Sequence, residues 1–207
     1  VPVGPVFALR QAELIRQAAE RWTGLRALSE SREVEAVTGY LQVVGQVLVQ
    51  VLRSTRNTAR LVQAASALLE YTKTARPVVR ATGATAVLVG LLRRRECKVL
   101  NKVLSTLYEL VFRSPVDQTG VHRAGGVAVL VRLVAQGRCK RCGVRLSAVR
   151  VLGQVCRADG DLQNAVVAAD GISALVGVLR KGLLAEKVAV IYTVQQLTTD
   201  NRQVTVA

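Results

Sequence analysis

The 207-residue sequence predicts an all-α protein built as a solenoid of helical repeats, and three observations lead there. An apolar segment introduced by glycine returns at a nearly fixed interval. A second segment with the period of an α-helix follows each copy, and the composition suits helix-on-helix packing. The hydrophobic fraction is 50%, yet aromatic residues make up only 3% and Met is absent, so the core must be built from Val, Leu and Ala. Side chains of that size suit closely packed helices better than a pocket that stacks a planar ligand.

Sliding the chain on itself defines the repeat. "ATGATAVLVGLL" (81–92) falls without gaps on "RAGGVAVLVRLV" (123–134), 42 residues on, and the template returns as "AADGISALVGVL" (168–179) after a further 45. A fainter copy, "GQVLVQVL" (45–52), begins 40 residues before Thr85. Such intervals are typical of helical solenoids, in which each unit covers the apolar face of the next. In the segment that follows, apolar residues stand at i, i+4 and i+7, the spacing of one helix face. They are Ala64, Leu68 and Tyr71; Val103, Leu107 and Leu110; Ala148, Leu152 and Val155; and Val190, Val194 and Leu197. A shorter stretch ahead of the glycine, such as "LQNAVVAAD" (162–170), adds a turn or two, giving three helices per unit.

The Gly-Gly step in "VHRAGGVAVLVRLV" (121–134) invites comparison with a phosphate-cradling loop. That chemistry needs a preceding strand and a Lys-Ser/Thr pair, and "GGVAVLV" lacks the pair. The step therefore reads as the start of a helix.

A short helix, a glycine, an "ALVxLL"-like helix, a loop and an "AxxxLxxL"-like helix together resemble the armadillo repeat, from about Glu33 to the C-terminus. In that repeat the glycine permits a sharp turn where a side chain would clash, and the resemblance implies that role for Gly83, Gly125, Gly126 and Gly171. The resemblance implies a right-handed α-solenoid of about four armadillo-like three-helix repeats, at about 33–74, 75–116, 117–158 and 159–199, with 200–207 opening a further repeat. Residues 1–32 are expected to form an N-terminal capping helix or a degenerate repeat, because Leu14, Ile15, Ala18, Trp22 and Leu25 share one stripe. A repeat begun at 200–207 predicts either more repeats beyond Ala207 or a partner docked on that end.

The resemblance also implies a binding groove lined by the third helices. In importin-alpha-like members a Trp and an Asn recur there and hold basic peptides. The aligned positions here are Ser66, Ser105, Arg150 and Tyr192 for the Trp, and Glu70, Glu109, Gln154 and Gln196 for the Asn. The ladder is absent, so that cargo is not expected, although polar groups at these positions can clamp a peptide backbone. A beta-catenin-like mode, in which a basic groove grips extended acidic peptides, is matched in part, because Glu70 and Glu109 interrupt it.

Catalytic chemistry is hard to build from what remains. His122, the sole histidine, lies beside a repeat turn with no partner predictable from spacing, so a helix-end surface histidine is expected. The acids form no spaced pair that the periodicity would bring together. No enzyme and no cofactor are expected.

Cys97, Cys139, Cys142 and Cys156 are too few for a disulfide-stapled chain of this length. An intracellular setting is expected, the cytoplasm first, with the nucleus or an organelle interior as alternatives. "CKRC" (139–142) has metal-ligand spacing, but structural zinc usually needs four ligands, and Cys97 belongs to a loop one repeat away. Reduced loop cysteines are the reading, with zinc or a redox pair as alternatives, and Cys156 is assigned to the core. No apolar run reaches the ~20 residues of a membrane span, so a soluble chain is expected. The opening "VPVGPVF", without an initiator Met, suggests a processed protein or a piece of a longer one.

The net charge of +15 is the strongest functional signal. Between the two longer helices of successive units stand Arg53, Arg56 and Arg60; Arg93, Arg94, Arg95, Lys98 and Lys102; Arg138, Lys140, Arg141 and Arg145; and Arg180, Lys181 and Lys187. These windows hold about half of the 29 lysines and arginines, opposed within them only by Glu96 and Glu186. Equivalent loops of a solenoid stack, so the pattern predicts a positive stripe along one edge. Helix dipoles favour cations at C-termini by about 0.3–1 kcal/mol each, and solubility asks for a few more. Three to five per unit exceed that need. The expected function is a non-catalytic interaction or scaffold module that binds an acidic or extended peptide through its groove or basic edge. The alternative is a basic ribonucleoprotein-type component that holds nucleic acid by its phosphates. The scarcity of aromatic residues along the stripe counts against single strands.

Overall fold

The computed structural model describes residues 32–137, 143–157 and 159–199, with side chains described from residue 39 onward. The expected N-terminal cap, the further repeat at 200–207, the cations Arg138, Lys140 and Arg141, and the cysteines Cys139 and Cys142 lie outside the described residues. Among the described residues there are ten helices and no strand: α1 Arg32–Ser54, α2 Thr58–Ala81, α3 Ala84–Leu91, α4 Cys97–Val111, α5 Pro115–Arg123, α6 Gly126–Gln136, α7 Val144–Val155, α8 Gly160–Ala168, α9 Gly171–Lys181 and α10 Leu184–Thr198. They fall into two compact units, residues 1–84 and 85–207.

In the first unit α1 packs against α2. The first and second helices expected of a repeat are fused here, because α1 runs unbroken through Gly45. Gly45 serves a close approach instead of a turn: a Cβ there would lie 3.0 Å from Thr82 Cγ2 and 3.2 Å from Tyr71 Cε1. Tyr71 is fully buried and donates its hydroxyl to the Leu41 carbonyl, so the largest fully buried side chain among the described residues also ties the two helices by a hydrogen bond. Burial pushes the Tyr71 phenol well above its ordinary range. Helix α2 bends at Ala75 (φ −129°, ψ 45°), two residues before Pro77. Proline lacks the N–H of the helical ladder and crowds the preceding turn, which accounts for the bend.

The second unit repeats short, medium and long helices twice, as α5-α6-α7 and α8-α9-α10. Each short helix opens on a side-chain cap. Ser114 Oγ accepts from Asp117 N–H at 3.4 Å, and Asp159 Oδ1 accepts from Leu162 N–H at 3.0 Å. Helices α8 and α9 then meet at a bend of 72°.

The turn glycines divide into two kinds. Gly83 (φ +70°) and Gly125 (φ +72°) occupy the left-handed region that glycine enters without cost. Gly126 and Gly171 are already helical, and a Cβ there would lie 2.8 Å from the Val121 carbonyl oxygen and 2.6 Å from that of Val166. The left-handed residue ahead of α9 is Asp170 (φ +61°), which tolerates that region because a short polar side chain bonds locally. Gly171 is thus required by crowding and not by its backbone angle.

Helix α7 is the centre of this unit, packed against α4, α6 and α10. Ala148, Val149, Val151, Leu152 and Val155 are fully buried, and each such Val or Leu contributes about 1.5–3 kcal/mol of transfer free energy. At Gly153 the approach of α10 is closest, since an added Cβ would fall 2.7 Å from Thr193 Oγ1 and 3.3 Å from its Cα. The Thr193 hydroxyl reaches the Ala189 and Val149 carbonyls at 2.9 and 3.2 Å. Cys156 is buried at the end of α7, in the core as expected. No single helix among the described residues is long and apolar enough to cross a membrane.

Candidate functional site

The Gly153–Thr193 approach sets their neighbours Gln154 and Tyr192 side by side, where Gln154 Nε2 donates to the Tyr192 hydroxyl at 3.2 Å. Gln154 is only 2% exposed, and its Oε1 has no hydrogen-bond partner. Around the pair lies an open cleft of about 560 Å³ lined by Tyr108, Phe112, Arg150, Gln154, Ala185, Val188, Ala189 and Tyr192. The Tyr108 and Phe112 rings lie against each other at a tilt of 35°, centroids 5.9 Å apart, and the Arg113 guanidinium sits 5.4 Å from the centre of the Phe112 ring. Arg150 is exposed, and no carboxylate pairs with it among the described residues.

Of the eight groove positions marked in the sequence, the structure brings Arg150, Gln154 and Tyr192 into this cleft. Ser105, Glu109 and Gln196 lie on α4 and α10 but do not line it. Gln196 contributes its carbonyl to Gln163 Nε2, at 2.9 Å. Ser66 and Glu70 belong to α2 in the first unit, where Glu70 takes an exposed ion pair from Lys73 at 3.0 Å. Tyr108, Phe112, Ala185 and Val188 are lining residues that the sequence did not mark.

Apart from Lys102, which lies within α4, the described cations of the basic windows fall at helix ends and in the connections between helices. Arg53 closes α1, Arg56 lies in the following connection and Arg60 stands in the first turn of α2, all exposed. Arg93 and Arg95 are exposed between α3 and α4, and Lys98 is exposed in the first turn of α4. Arg94 lies 3.8 Å from Glu96. Arg180 and Lys181 are exposed in the last turn of α9.

Arg145 departs from the expectation of a free edge cation. Its Nε and Nη2 donate to Glu186 Oε1 and Oε2 at 2.9 and 2.6 Å, with the side chains only 14% and 5% exposed. Burial by itself would raise the Glu186 carboxyl. The hydrogen bonds from Arg145 and the Leu183 N–H, together with the guanidinium charge, outweigh it and hold the group below the ordinary carboxylate range.

Other groups with chemical potential are dispersed. His122 is exposed in the last turn of α5, at a helix end as expected. Cys97 is half-buried at the start of α4, and burial pushes the Cys156 thiol up to about 12 against a weaker lowering by a backbone hydrogen bond. Among the described residues no three His, Cys, Asp or Glu side chains converge as a metal site would require.

Short, medium and long helices joined by a sharp glycine turn, with the long helices lining a groove, define an armadillo-type α-solenoid. Comparison with solved structures agrees. A designed armadillo repeat protein in complex with the peptide (KR)4 superposes with a TM-score of 0.70 at 14% identity, over 92% of this chain and 84% of that one. An engineered protein matches with a TM-score of 0.68 at 20% identity over 89% of this chain, which spans 48% of its length. A structure concerned with a phosphorylation switch in the interaction between cadherin and beta-catenin matches at 0.66 and 17% identity, over 95% of this chain and 43% of that one. At such identities the likeness establishes the fold. No protein-family profile and no curated protein matches the sequence.

Proposed function

We propose that this chain is a non-catalytic repeat scaffold that binds an extended acidic segment of a partner protein. The observation that carries the reading is the placement of its charge. Arg60 and Lys98 stand in the first turns of α2 and α4, where the helix dipole disfavours a cation. Helix stability therefore does not account for them, whereas an anionic partner does. Exposed Arg93, Arg95, Arg180 and Lys181 extend the same character, and Arg150 carries it into the groove. The designed relative holds a basic peptide. A chain with a net charge of +15 would repel such a ligand and attract one of opposite sign.

The test is a salt series with two fluorescent probes, an acidic Glu-rich peptide and a short RNA duplex. The acidic peptide is expected to bind and to survive moderate salt, because part of its contact is made in the groove. RNA held by its phosphates loses affinity steeply, with a logarithmic slope of about 0.7–0.9 per phosphate contact. Binding of the RNA alone would overturn the reading in favour of a nucleic-acid component.

A further inference from the structure

Resting on the acidic-peptide reading, we propose that Tyr192 is a displaceable lid: an extended peptide moves its phenol off Gln154, engages the freed carboxamide with a main-chain group and sets a carboxylate against Arg150. The starting point is the unpartnered Oε1 of a side chain that is 2% exposed and lines an open cleft. A buried amide with one end unsatisfied is a standing cost, and a Leu or Met of similar size would avoid it. The bond that Gln154 does make is the one to the Tyr192 hydroxyl, at 3.2 Å.

That hydroxyl can donate or accept, so whichever way the amide is turned, the phenol satisfies one end and leaves the other. A peptide group carries both an N–H and a C=O and matches both ends at once. Tyr192 is 40% exposed, which leaves the ring room to leave its place by side-chain rotation. The lid and its seat therefore compete for the same bond that the ligand would take.

Register follows from geometry. Arg150 and Gln154 are i and i+4 on α7, with Cβ atoms about 5–6 Å apart on one face. Residues on one face of an extended peptide repeat every ~6.6 Å, so a main-chain group at Gln154 puts an acidic side chain one or two residues away beside Arg150. Phe112 and Val188, the latter 59% exposed, offer an apolar wall to the intervening side chain. The preferred ligand carries an apolar and an acidic residue two positions apart, so that both face the groove.

The experiment measures fluorescence anisotropy of a fluorescein-labelled peptide of Leu-Ser-Glu repeats, and of its Leu-Ser-Gln counterpart, against the full chain. Tyr192→Phe removes the competing hydroxyl and keeps the ring, so affinity for both peptides should rise about fivefold, the equivalent of one net hydrogen bond. Gln154→Leu should lower affinity for both about tenfold while melting no earlier than the parent chain. Arg150→Gln should weaken only the Glu peptide. Unchanged or weaker binding by Tyr192→Phe, or unchanged binding by Gln154→Leu, overturns the lid. If Arg93→Glu with Arg95→Glu abolishes binding while all three groove variants bind as the parent does, the acidic-partner reading stands without the groove site. Failure of the parent chain to bind either peptide at low salt overturns both.

Discussion

Arg145 and Glu186 form a two-pronged ion pair between α7 and α10, and two glycines make room for it. A Cβ at Gly137 would lie 2.5 Å from Arg145 Nη1, and one at Gly182 would lie 3.0 Å from Glu186 Oε2. These glycines close α6 and α9, 45 residues apart, at matching points of successive repeats. Glu186 also accepts from the Leu183 N–H at 2.8 Å and so caps the helix that carries it. One carboxylate thus joins the two long helices and starts the second.

Glu186→Gln should destabilise the second unit by roughly 3 kcal/mol, since it leaves a largely buried guanidinium without its counter-charge. Chemical denaturation near neutral pH measures this. The pH dependence has a definite sign. A carboxyl held below its unfolded range contributes stability that is present above that range and is lost as pH falls through the folded value. The parent chain should therefore lose this increment on acidification, and the Gln variant should show a shallower decline over the same interval. Parallel declines would show that the pair contributes nothing measurable.

The repeat was legible because it rests on features that sequence displays directly: a glycine before an apolar run, and a 3.6-residue period after it. It is least regular where a residue type changed its use. Gly45 looks like a turn glycine, yet it sits in an unbroken helix and lets Tyr71 and Thr82 come close. In the groove, Arg150, Gln154 and Tyr192 followed from the resemblance to the armadillo repeat, whose ladder positions the helical period of the third helices aligns. Tyr108 and Phe112 reach the same cleft from the end of α4, and Phe112 is the capping residue beyond the periodic stripe. Val188 was hidden because an apolar residue in a helix reads as core, whereas it is 59% exposed. Arg145 was mistaken for an edge cation because its partner lies 41 residues on, close to one repeat length. An acid at that interval was the available signal.

Gly126→Val and Gly171→Val should each cost about 1–3 kcal/mol, because the new Cβ meets a backbone oxygen at 2.8 or 2.6 Å and cannot be relieved by a side-chain rotation. Gly90→Ala and Gly177→Ala supply the contrast. Both are exposed in helices with nothing within 4 Å of the added Cβ, so each should stabilise by up to about 1 kcal/mol through helix propensity. Thermal melts of the four variants separate crowding from a general intolerance of change, and a common direction for all four would count against these turns.

Cys156 should be chemically silent in the folded chain. Its thiol is fully buried and pushed up to about 12, so almost no thiolate forms at pH ~8. With Cys139→Ser and Cys142→Ser in the background, a thiol reagent should label Cys97 at once and Cys156 only after denaturant is added. Rapid labelling of two thiols without denaturant would contradict the packing at the end of α7. Mass spectrometry of the same double variant tests the "CKRC" stretch, where loss of a stoichiometric metal relative to the parent would show that the stretch binds zinc.

The proposed basic edge gives the sharpest test of function, because charge and position can be separated. Reversing Arg93, Arg95, Arg180 and Lys181 to Glu removes exposed cations at the ends of α3 and α9, and circular dichroism should show helicity retained, since these side chains contribute little to the core. Reversing Arg10, Arg16, Arg21 and Arg26 changes the net charge by the same amount elsewhere in the sequence. If long-range attraction alone draws the partner, the two sets are equivalent and both lose most of their effect once salt shortens the screening length to about 8–10 Å. If the edge makes contact, the first set should lower affinity for a Glu-rich peptide at least tenfold more than the second, and the difference should persist at physiological salt, where close pairs are screened least. Equal affinities of the two quadruple variants across the salt series would return these residues to the role of keeping a Val- and Leu-rich surface in solution.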